Sequence, residues 1–221
     1  MAVDYSLNEV EATVKKAVRA VGYPWGLAEE AARSARWLCH YGHDGCAAIT
    51  RHLSVFDSLI DPDNLDAHSP SIQTGVWRAN VAPLCPFISG VAFSDRAQPL
   101  VNELLLKQEL RLEQIAEPLL LCFFADQAAR HCNAMIRLDW QGGSAVTNGH
   151  NASLTDNSQS SLSDVTISLI DTRIAGDTLS QRGYPAEKTW QTLNLYAART
   201  YAPATEESRL KGAGAGLSDN D

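Results

Sequence analysis

Met135-Ile-Arg-Leu-Asp-Trp140-Gln-Gly-Gly143-Ser-Ala-Val-Thr147 is the stretch whose reading decides the fold. Ile136, Leu138 and Trp140 alternate with Arg137 and Asp139, the two-residue period of a strand with one buried face. Gln141-Gly142-Gly143 supplies a turn and residues 144–147 return, so the segment reads as an antiparallel hairpin. Asn148-Gly149 is a second turn signal, and residues 157–163 form a polar loop. Val165, Ile167 and Leu169 then alternate as a further strand.

Working back toward the N-terminus, the period changes from two to 3.6. Ser6-Leu-Asn-Glu9 is a capping box, in which the Ser hydroxyl accepts from the Glu9 amide and the Glu9 carboxylate reaches back to the cap. Val10, Val14, Ala17, Val18 and Val21 share one face of the helix that follows, and Gly22 is placed to close it. A second helix is expected over residues 27–41. Ala28, Ala31, Ala32, Ala35 and Leu38 form its inner stripe, and Gly42 ends it. Asp44 suits the N-cap of a third helix with Ile49, Leu53, Phe56 and Ile60 inward and Asp61-Pro62 as the stop.

Pro62, Pro70, Pro83, Pro86 and Pro99 argue for irregular structure between the helices and the sheet. Residues 88–93 fit a short strand or the start of a helix, and residues 104–115 mix strand alternation with helix-forming Leu and Glu. Glu117-Pro118 puts proline at a first helical position, with residues 119–132 continuing at helical period. Residues 187–200 read as a last amphipathic helix carrying Trp190, Leu193 and Ala197. The expectation is an α+β fold, a three-helix segment followed by a mainly antiparallel sheet with interspersed helices. It divides into a helical subdomain at 1–61, an α+β domain at 62–203, and a flexible, acidic Gly/Ala-rich tail at 204–221.

Charge and composition exclude several classes of function. Against 26 acidic residues stand 18 Lys and Arg, a net charge of −8. Sequence-independent nucleic-acid binding depends on cations neutralising phosphates, and Lys15-Lys16 is the densest basic pair. Anionic membrane surfaces are disfavoured for the same reason. The apolar run around residues 119–124 is far short of the ~20 residues that span a bilayer. The opening residues carry neither a basic nor an apolar signal region, and five cysteines is an odd number. These features predict a cytoplasmic protein with reduced thiols, in which the sequon Asn151-Ala-Ser153 has no meaning.

Reactive side chains concentrate in Cys39-His-Tyr-Gly-His43-Asp44-Gly-Cys46, at the junction of the second and third helices. Thiols and imidazoles suit zinc, but the spacing fits no zinc signature, and His131-Cys132 is the only other adjacent Cys/His pair; no metal site is assigned. A nucleophilic reading makes His43, Asp44 and Cys46 the catalytic candidates. Cys46 lies near a helix N-terminus, where the dipole favours a thiolate; His43 serves as base and Asp44 orients it. The plainer reading is that Asp44 caps the helix and the cysteines pack. Asp126 and Arg130 are spaced as a surface pair, and His150, Trp25 and Trp37 have the distribution of pocket or core residues. Gly212–Gly216 is flanked by neither strand nor helix, so it is no phosphate loop, and no cofactor motif identifies a cofactor.

Two resemblances add to this reading. The opening Ser6-Leu-Asn-Glu-Val-Glu11, the stretch Gly22-Tyr-Pro-Trp-Gly-Leu-Ala-Glu-Glu30, Trp37 and the closing Gly212-Ala-Gly-Ala-Gly216 resemble a family of short bacterial proteins known only as a domain of unknown function. It implies no activity, but it makes the tail part of the family pattern. Residues 6–56 also resemble the N-terminal helices of the malate/lactate (2-hydroxyacid) dehydrogenase family that lacks a Rossmann fold, on Gly42-His43-Asp44 opening the third helix. That family continues Ser-His-Gly with an Arg one turn on; here stand Gly45-Cys46-Ala47 and Thr50. The likeness implies shared helical architecture rather than dehydrogenase activity.

Two functions follow. One is a small metabolic enzyme or enzyme subunit whose 43–46 loop lines a pocket for a small polar molecule. The alternative is a non-catalytic binding or assembly protein, homo-oligomeric or an accessory subunit, whose tail docks a partner.

Overall fold

A computed structural model describes residues 4–61, 63–73, 75–81, 83–106, 109–157, 161–171, 174 and 179–201. The tail expected at 204–221 and part of the polar loop at 157–163 lie outside them. Helices come first and the sheet follows, so the fold is α+β.

Strand β1 (Tyr5–Ser6) runs straight into α1 (Leu7–Ala20). Both halves of the capping box are present: the Ser6 hydroxyl accepts from the Glu9 amide at 3.2 Å, and Glu9 accepts from the Ser6 amide at 2.8 Å. The face predicted from the valines is the buried one. Helix α2 (Trp25–His40) starts two residues earlier than expected, because Pro24 provides the extended residue before a helix. Its alanine stripe lets α1 and α2 approach closely, and their packing is the most extensive between any two elements. Helix α3 (Gly45–Phe56) closes the layer. It stops one turn before Asp61-Pro62, leaving Ile60 half-buried beyond its end.

The proline-rich stretch is less irregular than its composition suggests. It holds two short strands, β2 (Ser71–Ile72) and β3 (Val76–Arg78), then α4 (Pro86–Asp95) and α5 (Ala97–Leu105). Pro86 opens α4 and Pro99 sits in the first turn of α5, where a missing amide removes no helical hydrogen bond. Of the two readings of 88–93, helix is correct. Residues 104–115 divide between the end of α5 and strand β4 (Leu110–Ala116). A 3₁₀ turn at Pro118–Leu121 leads into α6 (Cys122–Cys132). The hairpin follows as β5 (Ile136–Trp140) and β6 (Gly143–Thr147), then β7 (Ala152–Asp156), β8 (Leu162–Leu169), β9 (Arg182–Gly183) and α7 (Glu187–Ala198).

The main sheet has the order β2-β3-β4-β8-β5-β6-β7, antiparallel throughout except for β3 beside β4. Its inner face presents Leu112, Leu138, Val165 and Ile167 to α5 and α6; its outer face carries Arg111, Asp164, Arg137 and Asp139 in ion pairs. The chain then leaves the sheet. β9 pairs with β1, Tyr5 stacks on Trp190 with ring centres 3.8 Å apart, and α7 packs on α1 and α3. That return lays residues 179–186 over the turn between α2 and α3.

Candidate functional site

The turn between α2 and α3 is built by one glycine that needs a left-handed backbone and another that needs room. Gly42 has φ +80°, and the amides of Gly42 and His43 close back on the carbonyls of Cys39 and Leu38, the two bonds of a Schellman motif. Gly45 lies so close to α2 that a Cβ there would stand 2.3 Å from the Ala35 carbonyl oxygen. The N-terminus of α3 is therefore pressed against the α2 backbone at Ala35. Asp44 caps α3 by accepting from the Ala47 amide at 2.9 Å.

Segment 179–186 is tied to the same turn. The His40 carbonyl accepts from the Ser180 amide at 2.6 Å, and His40 Nδ1 lies 2.7 Å from the Ser180 carbonyl. Between segment and turn lies a cavity of about 440 Å³ lined by Cys39, His43, Asp44, Ser180, Arg182 and Tyr184, among others. Arg182 is paired with Asp4 at its rim.

Of the three residues singled out from the sequence, His43 and Asp44 line this cavity and Cys46 does not. The Cys46 side chain is wholly buried, and its thiol donates to Cys39; that bond and the burial push its pKa far up. The dipole argument applies to the other cysteine. Amides at a helix N-terminus point out of the helix toward the preceding chain, and here those of Gly45 and Cys46 meet the Cys39 sulfur. The Cys46 thiol is the larger cause and these amides add to it, holding the Cys39 thiol below its ordinary pKa against the effect of burial. Asp44 has its carboxyl raised by the loops crowded around it, against the pull of the Ala47 amide.

Sequence reasoning missed Ser180, Arg182 and Tyr184, which stand about 140 residues from the turn. One signal was present: Gly183-Tyr184-Pro185 repeats Gly22-Tyr23-Pro24, and each precedes a helix.

A second cleft, of about 510 Å³, brings together Cys132, His150 and Asp171 at the ends of α6 and β8. Asn148 holds the His150 turn by accepting from the amides of His150 and Asn151 at 2.9 and 2.8 Å. Burial raises the Cys132 thiol, the reverse of Cys39. Among the described residues, no group of three or more His, Cys, Asp or Glu could hold a metal ion, and no helix is long and apolar enough to cross a membrane.

No curated protein and no solved structure matches the chain, and the comparisons lend no support to the likeness to 2-hydroxyacid dehydrogenases. Residues 5–82, which carry α1 to α3 and the whole Cys39–Cys46 turn, match the model of a family described as "Protein of unknown function (DUF3726)".

Proposed function

We propose that the chain binds a small polar molecule in the cavity between the α2–α3 turn and segment 179–186, and acts on it as a small metabolic enzyme or enzyme subunit. One observation carries this reading: His43 and Asp44 line a cavity of about 440 Å³ together with Cys39, Arg182 and Tyr184, which come from other elements. Pockets with a few convergent polar groups on rigid elements are where ligands bind. His43 supplies an imidazole, the Cys39 sulfur lies in the wall, and Tyr184 and Ser180 supply hydroxyls. Asp44 acts by holding the turn. All five cysteines are free, which suits the reducing cytoplasm of a bacterial cell.

Thermal unfolding of the purified chain against a set of polar metabolites tests the reading. A ligand raises the midpoint by mass action, and His43→Ala and Tyr184→Ala each remove that rise while leaving the unliganded midpoint in place. A metabolite whose effect survives both substitutions would place its site elsewhere and overturn the proposal. Turnover of a bound metabolite separates the enzyme from a non-catalytic binding protein.

A further inference from the structure

Helix α2 carries a second stripe beside its alanines. Arg33, Arg36, Trp37 and His40 follow one another at three- and four-residue steps, so they share one face, exposed or half-buried along its length. Leu7 at the start of α1, Phe123 of α6 and Gln181 beside β9 close round that face. Together they line a cleft of about 290 Å³, at the lower end of ligand-pocket sizes. Leu7, Trp37 and Phe123 give it apolar walls, and both rings are braced. The Trp37 ring centre lies 4.6 Å from that of Tyr41, and Phe123 meets the buried Phe124 edge-on at 5.1 Å. Two guanidiniums and an imidazole stand beside these walls, in a chain whose net charge is −8.

The acceptors around the two arginines leave donors free. Glu30 accepts from Arg33 Nη1 at 2.7 Å, while Asn8 and Glu11 both accept from Arg36 Nη1, at 2.6 and 2.8 Å. Among the described residues, Nε and Nη2 of each guanidinium make no hydrogen bond, and these are the parallel donors that grip a carboxylate. His40 is fixed through Nδ1, 2.7 Å from the Ser180 carbonyl. That oxygen can only accept, so Nδ1 holds a proton and Nε2 is the nitrogen left over. We infer that the cleft binds a small aromatic carboxylate, its ring against Trp37 and Phe123 and its carboxylate on the free donors of Arg33 and Arg36. A neutral amide of the same shape lacks the charge, and a bare carboxylate lacks the ring, so neither satisfies both halves of the site. Cys39 and Ser180 line the cavity at His43, whereas their neighbours His40 and Gln181 line this cleft. The two sites have no lining residue in common, so each assignment stands or falls without the other.

The test is to titrate the purified full chain with sodium phenylacetate and follow the indole N–H signals of its five tryptophans by NMR. The Trp37 signal, identified by its disappearance in Trp37→Phe, is expected to shift and saturate. Phenylacetamide is expected to bind about tenfold more weakly, as loss of a charge-assisted hydrogen bond implies, and acetate to produce no saturable shift. Arg33→Gln and Arg36→Gln are each expected to weaken phenylacetate binding about tenfold. Arg33 makes only an exposed i,i+3 pair with Glu30, so its substitution leaves the fold in place. Equal affinity for acid and amide, read on the unsubstituted protein, overturns the proposal whatever the variants do. Undiminished binding in both arginine variants overturns it as well. So does a Trp37 signal that stays in place up to about 10 mM phenylacetate, far above the dissociation constant of a built site, or a shift confined to other tryptophans.

Discussion

The Glu117 carboxylate closes on the Arg51 guanidinium at the junction of sheet and helices, both its oxygens 3.0 Å from Arg51 Nε. Glu117 is 2% exposed and has φ +49°, a left-handed conformation that a residue with a Cβ adopts only when its surroundings enforce it. The enforcement comes from Arg51 on α3 and from the Glu117 amide, which donates to the Ser161 carbonyl at 2.6 Å.

Arg51→Ala therefore strands a buried carboxylate. The Arg51 side chain is 46% exposed, so water screens part of the loss, and about 2 kcal/mol lies between the values for surface and buried pairs. Burial already raises the Glu117 pKa against the pull of Arg51. Without the arginine it rises further, and the group is penalised only while charged. The deficit seen in urea unfolding is expected to shrink as pH falls from 7 toward the ordinary carboxylate range. A deficit that grows on acidification contradicts this account.

Gly45→Ala tests the contact between α2 and α3. The added Cβ meets backbone rather than a yielding side chain, so the helices must separate, at about 1–3 kcal/mol for overpacking. The same separation pulls Cys46 from Cys39. Thermal unfolding reads the first effect and the pH midpoint of Cys39 alkylation reads the second, which shifts upward. A variant as stable as the parent would show that the turn can yield.

Asp126 and Arg130 carry opposite weights although they form one ion pair. Spacing alone suggested a surface pair, and Arg130 is indeed exposed, but Asp126 is buried. The Asp126 carboxylate accepts from the Thr147 hydroxyl at 2.5 Å, and Trp37 also donates to it. Thr147 in turn accepts from the Gly149 amide at 3.0 Å, so Asp126 anchors the turn that carries His150. Asp126→Ala is expected to cost about 3 kcal/mol by leaving buried donors unpaired. Arg130→Ala is expected to cost under about 1 kcal/mol, as exposed pairs do. Equal losses in denaturant unfolding would refute the distinction.

What was legible in the sequence was local. The capping box, the valine face of α1, the Asp44 cap and the β5–β6 hairpin are each decided by residues within one turn or one pair of strands. The parallel β3–β4 pairing and the edge strand β7 were not, because neither is encoded by neighbouring residues. Asp126 was misjudged because helical spacing shows which residues are neighbours and not which side of the helix is covered. The candidate site was half legible. The turn was visible as a cluster, but its other wall arrives with β9, and the sulfur favoured by α3 belongs to the helix before it.

His52 is the group whose protonation most threatens the fold. It is wholly buried on α3, stacked on Phe56 at 4.5 Å and edge-on to Phe87 at 4.6 Å, and Nε2 lies 2.9 Å from the Tyr23 hydroxyl. Nδ1 has no hydrogen-bond partner among the described residues, and burial lowers the pKa to about 3. Folded protein therefore binds fewer protons than unfolded protein from the ordinary histidine pKa of about 6.5 down to about 3. Stability from this group is complete above the upper value and is lost as pH falls, at about 1.4 kcal/mol per pH unit. The raised carboxyls of Glu117, Asp44 and Asp126 act in the opposite sense, so the parent's profile alone is ambiguous. His52→Phe keeps an aromatic ring beside Phe56, removes the orphaned nitrogen and leaves the Tyr23 hydroxyl its contact with Cys85 at 3.3 Å. Urea unfolding of both proteins from pH 7 to 4.5 is expected to show curves that diverge below pH 6.5, with the variant keeping about 2–3 kcal/mol that the parent loses. Parallel curves would mean that His52 accepts its proton without unfolding the core.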